Sequence, residues 1–234
     1  MANTALSGGS TPYAIGDLNA IAGNINAASS NGAVSQFTQD HLVNGACPGV
    51  VWRYGDVITY GENVWGEPQT AAGQLLMAKF DSLYFNAGGV LEPGLSFTMT
   101  FQTAQAVLNY LLAAHTPSAL NANLVDPTSS ASGQFGGEVV ALKLNVDFSD
   151  AGYTRGASGI PFGDLHLCGF TSPSGLNGLS VRKFLGHANS ALGGNGAPLT
   201  ISELNTTAIG LNESFEAGVV QQFAQDHLVN GACP

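Results

Sequence analysis

The chain has 234 residues, enough for one large domain or for one domain with an appendage. Only 9% of its residues are charged, against about a quarter in ordinary domains, and 6 Lys and Arg face a net charge of −10. So few cations exclude nucleic acid and an anionic membrane surface as partners, and no stretch is long and apolar enough for membrane insertion.

Met1-Ala2-Asn3-Thr4 lacks the basic start and apolar run of a signal peptide, so any export signal is expected upstream. Residues 2–48 align without a gap with residues 188–234 at an offset of 186, and 25 of the 47 pairs are identical. The two copies end QFTQDHLVNGACP and QFAQDHLVNGACP. A fixed offset reads as a tandem array. Residues 1–48 are then the helical tail of a preceding module, and residues 49–234 are one complete α+β module. In the first copy Ile15, Leu18 and Ala22 share a helical face, with a second short helix over residues 34–42. Ser29 stands where the second copy has Phe215, which weakens the apolar stripe.

Further along, residues 51–60 are aromatic and strand-like, and residues 70–80 read as a helix despite Gly73. Residues 95–101 alternate, which points Leu95, Phe97, Met99 and Phe101 inward. Thr103 caps a helix that uses Val107, Leu108, Leu111 and Leu112. Residues 126–137 form an exposed loop, as do residues 152–159 and 171–178. Residues 140–148 fit either a strand or a buried helix. Ser180 caps a helix with Val181, Phe184, Leu185, Ala188 and Leu192 buried. Thr200 and Glu203 form a capping box for a helix carrying Ile201, Leu204, Ala208, Leu211 and Phe215, which Gly218 stops. A short helix follows over residues 220–228. The predicted fold class is α+β: a helix-dominated single module with a small antiparallel sheet, preceded by a helical segment duplicated from the C-terminus.

The three cysteines are Cys47, Cys168 and Cys233, and the first and last are repeat equivalents. Each whole module would then own two, which predicts a Cys168–Cys233 disulfide and leaves Cys47 to an upstream partner. Three buried thiols are the alternative. Asp164, His166 and Cys168 would share one face of a strand, a spacing that suggests a nucleophile with its base or a metal site. Adjacent positions on one strand do not by themselves provide that geometry, and a disulfide would consume the thiol. Asp126, Glu138, Asp147 and Asp150 lack the spacing of a calcium loop. The reading therefore assigns no catalytic residue, no metal and no cofactor. Phe37, His41, Leu42 and Cys47, with Phe223, His227 and Leu228, are assigned to contacts between modules. Trp52, Tyr54, Tyr60 and Trp65 are either the core of the aromatic strand or a patch that stacks on sugar rings.

Several segments taken together resemble an uncharacterised bacterial module of secreted and cell-surface proteins. They are Thr59-Tyr60-Gly61 with Trp65-Gly66, then NLVDPTSSASGQFGGEVVALKLNVDFSDAG from Asn123, LSVRKFLGHANSALGG from Leu179 and ISELNTTAIGLNESF from Ile201. Similar sequences open on Thr-Gln-Gly-aromatic-Trp-Gly, continue through a Leu-Asn-Val segment and close on an Asn-rich helix. The chain departs at the opening, where Tyr60 replaces the Gln and three residues separate Gly61 from Trp65. The resemblance covers most of residues 49–215 and implies an exported, surface-exposed protein.

These readings converge on a non-catalytic structural module of an exported tandem-repeat protein that forms a surface layer or filament. It would bind copies of itself or neighbouring modules head-to-tail through the duplicated segment. The alternative is a polysaccharide-binding module that uses the aromatics. A hydrolase built on Cys168, His166 and Asp164 is the third reading.

Overall fold

The segment that periodicity could not place, residues 140–148, lies inside a 17-residue helix, Gln134–Asp150. A computed structural model describes residues 52–85 and 91–233, all within the unit Val50–Pro234. The helices expected for residues 15–22 and 34–42, and the contacts assigned to Phe37, His41, Leu42 and Cys47, lie outside the described residues.

Among the described residues there are seven α-helices and two short strand pairs, an α+β, helix-dominated architecture. In chain order they are α1 (Glu62–Gly66), α2 (Ala71–Phe80), β1 (Met99–Thr100), α3 (Ala104–Tyr110), β2 (Leu124–Val125) and α4 (Gln134–Asp150). The rest are β3 (His166–Leu167), α5 (Val181–Leu192), α6 (Ile201–Glu213), α7 (Gln222–His227) and β4 (Leu228–Val229). No helix among them is long and apolar enough to cross a membrane.

α4 is the axis. It is buried nearly all round, from Phe135 through Val140, Leu144 and Phe148, because α6, α5 and α1 pack on different sides of it. A helix enclosed this way has no polar face, so its sequence shows no 3.6-residue stripe. Length settles it as a helix, since 17 residues exceed an ordinary strand. Its start at Gln134 also takes Phe135, Gly136 and Gly137 out of the predicted exposed loop and buries them.

The capped helices form where their signals stand. Thr70, Thr103, Ser180 and Thr200 each accept a hydrogen bond from the backbone N–H three residues on, and Thr200 with Glu203 completes a capping box. α3 stops at Tyr110, short of the predicted Leu112. Leu112 takes φ 74° and is 59% exposed, and this turn directs the next N–H, that of Ala113, toward α1.

The strands are far shorter than alternation suggested. Residues 52–60 form turns with a single bridge at Thr59, and residues 95–101 contribute the two-residue strand Met99–Thr100 flanked by isolated bridges at Thr98 and Phe101. Met99 and Phe101 are buried, whereas Leu95 and Phe97 are exposed. β1 pairs with β2 in parallel and β3 with β4 in antiparallel fashion, so the small sheet consists of two separate pairs, one of them parallel where antiparallel pairing was expected.

Candidate functional site

The repeated sequence supplies α6, α7 and β4, and these elements fill a slot in the rest of the body. Backbone bonds run along the seam. Thr59 N–H donates to Phe215 O (3.0 Å), Gly55 N–H to Gly218 O (2.9 Å) and Cys168 N–H to His227 O (2.9 Å). The Trp52 indole N–H reaches Leu228 O (2.8 Å), and Cys168 is joined to Cys233 by a disulfide. Phe215 packs edge-on against Trp52 with ring centroids 5.2 Å apart. The His227 ring stacks on Phe170 at 4.0 Å and meets Phe223 at 5.0 Å.

A polar network crosses the same seam at its centre. Asn212 on α6 is wholly buried, and its amide donates to Glu138 O (3.0 Å) and to Glu138 Oε2 (2.8 Å). Its oxygen accepts from Asn145 Nδ2 (3.0 Å). Asn145 Oδ1 accepts in turn from Tyr60 N–H (2.9 Å) and the Trp65 indole (3.0 Å). Two asparagines thus join α4, α6 and α1, and removing either would leave buried partners unpaired.

Beside Asn212 sit two buried carboxyl groups, Glu62 of α1 and Glu138 of α4, hydrogen-bonded to each other. Burial pushes Glu138 up from 4.5 to about 8; Asn212 opposes the shift, while the negative charges of Glu62 and Glu213 add to it. Burial also raises Glu62, against the pull of the Ala113 and Leu112 N–H groups, and Ala113 N–H lies 2.7 Å from Glu62 Oε1. Burial therefore favours the protonated form of Glu138 at neutral pH. Such a pair can act as an acid. Here Glu138 Oε2 is committed to Asn212 and Glu62 Oε1 to Ala113, which makes the pair a tie between elements.

Two clefts follow the seam. One, of about 330 Å³, is lined by Glu62, Leu112, Glu138, Ile209 and Glu213. The other, of about 500 Å³, is lined by Val64, Gly210, Glu213, Glu216, Gln222 and Phe223. Glu216 Oε2 accepts from Gly61 N–H (2.9 Å), and burial raises its pKa.

Of the residues singled out by sequence, Phe223, His227 and Leu228 come together at this seam with the Cys168–Cys233 disulfide. The four aromatics do not form a surface platform. Trp52 and Trp65 are buried, because their indoles bond to Leu228 O and Asn145, whereas Tyr60 is half-buried and Tyr54 is exposed. The nucleophile-and-base arrangement at Asp164, His166 and Cys168 is not assembled either. Asp164 pairs with Arg182 (3.1 Å), and Cys168 has no thiol. The acidic residues considered for calcium are dispersed. Asp147 binds Lys143 (2.9 Å) and Tyr84 (2.8 Å), Asp150 takes both amino groups of Arg182, and Asp126 accepts from Gln102 N–H. Among the described residues no three His, Cys, Asp or Glu side chains group to hold a metal ion.

Glu62, Asn145 and Asn212 were not singled out by sequence reasoning, and Glu138 was considered only for calcium. The available signal was one carboxylate inside the apolar run FGGEVVALKLNV, a charge that must be paired or neutral once the run is buried. No family model matches the chain, and no match is found among curated proteins or solved structures.

Proposed function

We propose that the chain is a non-catalytic structural module of an exported tandem-repeat protein that associates head-to-tail through its duplicated terminal segment. One observation carries this reading: the second copy of the repeated sequence is part of the core, with Leu204, Ala208, Leu211 and Phe215 fully buried. One body uses one such segment, whereas the sequence supplies two. The extra copy is suited to a neighbouring body, and a head-to-tail contact that does not close generates a fibre. A disulfide supports an oxidising, extracellular setting, where such bonds persist. The polysaccharide reading loses ground because both tryptophans are interior.

The test is polymerisation. We expect the full chain to form head-to-tail polymers visible by electron microscopy and light scattering. Deleting residues 1–48 should abolish them without altering the far-ultraviolet circular dichroism of the body. Polymers that persist after the deletion overturn the proposal.

A further inference from the structure

Residues 14–47 are a second sequence for the slot that residues 200–233 fill, and the fold brings the two ends of that slot to the right places. We infer that residues 14–47 of the same chain are an alternative occupant of this slot. They would close the body as a circular permutant, with Cys47 in the place of Cys233. The inference rests on the equivalence of the two copies that underlies the proposed function, and it identifies the surface and the partner.

Part of the set of side chains that fill the slot is retained in the first copy. Leu204, Asn205, Ala208, Asn212 and Leu228, all buried, recur as Leu18, Asn19, Ala22, Asn26 and Leu42. Asn26 is the most specific of these. An amide at that position donates to Glu138 and accepts from Asn145 at once, and an apolar residue would strand both partners. Phe37 and His41 likewise repeat the Phe223 and His227 rings that meet Phe170.

The connections also fit. The slot ends beside the start of the body, since Trp52 donates to Leu228 O and Cys168 N–H donates to His227 O. Four residues separate Cys47 from Trp52, a link of five steps that reaches about 17 Å. So short a tether gives residues 14–47 an effective concentration in the millimolar range, above that of a second chain. Residues 200–233 leave α5 through an exposed loop containing Gly194 and Gly196, so they can depart without unwinding α5.

Ser30 in place of Glu216 and Thr38 in place of the buried Ala224 weaken the first copy, and three further differences rank the occupants. Ala14 in place of Thr200 removes the capping box. Asn24 replaces Gly210, where a Cβ would lie 2.4 Å from the Phe223 ring. Ser29 replaces Phe215 and deletes the ring packed on Trp52. All three favour residues 200–233, in accord with their occupying the slot. The exchange is redox-neutral: the Cys47 thiolate attacks Cys168 Sγ, a new S–S bond forms as the Cys168–Cys233 bond breaks, and Cys233 leaves as the thiolate.

Disulfide mapping of the full chain tests this. Cleavage at Arg and Lys leaves the three cysteines on three different peptides. Variants are refolded in a glutathione redox buffer and mapped without reduction. In the wild-type chain we expect the Cys47–Cys168 bond in under about 1% of molecules, because the cap alone shifts the ratio about fivefold and a lost core ring shifts it far more. Restoring the first copy by A14T, N24G and S29F leaves residues 200–233 intact. It should raise that share at least tenfold, in monomers. Adding T200A, G210N and F215S should make Cys47–Cys168 the predominant bond. An unchanged share in the first variant overturns the inference whether or not the second folds, and so does a Cys47–Cys168 bond found only between chains. Exchange within monomers that never polymerise would sustain this inference and defeat the proposed assembly, while polymers without exchange would do the reverse.

Discussion

Glu138 keeps its proton because its carboxyl is buried, a cost to which negative charge on Glu62 and Glu213 adds. Its pKa is 4.5 in an ordinary setting and about 8 in the fold, so the folded state binds the proton more tightly than the unfolded chain. Stability from this group is therefore full below about pH 4.5, falls as pH rises and is lost above about pH 8. A tenfold change in proton affinity corresponds to about 1.4 kcal/mol, so the fall amounts to a few kcal/mol. Glu138→Gln should remove most of that slope. Its amide can donate to Glu62 and its oxygen can accept from Asn212, the pattern that the protonated acid provides. We expect denaturant unfolding to show the variant near wild type at about pH 5 and more stable than wild type at about pH 9. A wild-type pH slope retained in the variant would place the titrating group elsewhere.

At the scale of the element, α2 gives a prediction with an inverted sign. Exchanging Gly for Ala inside a helix ordinarily stabilises it by about 1 kcal/mol. Gly73 is a different case, because a Cβ there would lie 2.2 Å from Glu67 O, a backbone atom that can move only with the turn. We expect Gly73→Ala to destabilise the body by about 1–3 kcal/mol, read as a lowered melting temperature; a raised one would refute the contact. The sequence shows a helix here through its Thr70 cap and carries no trace of the neighbour that makes Gly73 necessary. The same division runs through the fold. Helices α5 and α6 combine a cap with a one-sided stripe and were legible, whereas α4, buried all round, looked equally like a strand. Residues 95–101 failed differently: their alternation was real, but Leu95 and Phe97 face solvent because no sheet covers them. The terminal segment of the site was legible by comparing the chain with itself. The Glu62–Glu138 pair was not, because it exists only when α1 docks on α4 and α3 turns Ala113 N–H toward it.

For the whole molecule, what matters is how a chain end is held in a core. The segment from α6 to β4 comes last, yet its α6 lies against the central helix and its β4 pairs with β3. Helix α6 is anchored by burial and by Asn212, while α7 has six residues and one buried side chain, Ala224. The distal part therefore depends on Leu228, the Trp52 bond and the Cys168–Cys233 crosslink. Closing a separation of 65 residues is worth about 4 kcal/mol in the chain-entropy account. Reduction should accordingly lower global stability by up to that amount, and it should act unevenly. Because the other contacts of α7 and β4, the β3–β4 pair and the Phe170 stack, involve half-buried residues, hydrogen exchange in the reduced protein should accelerate first at Cys168 and Val229, while the amides of α4 keep their protection. Uniform acceleration across α4 and β4 would mean that the terminal segment and the body unfold as one unit, leaving no partly opened state through which a second copy could enter the slot.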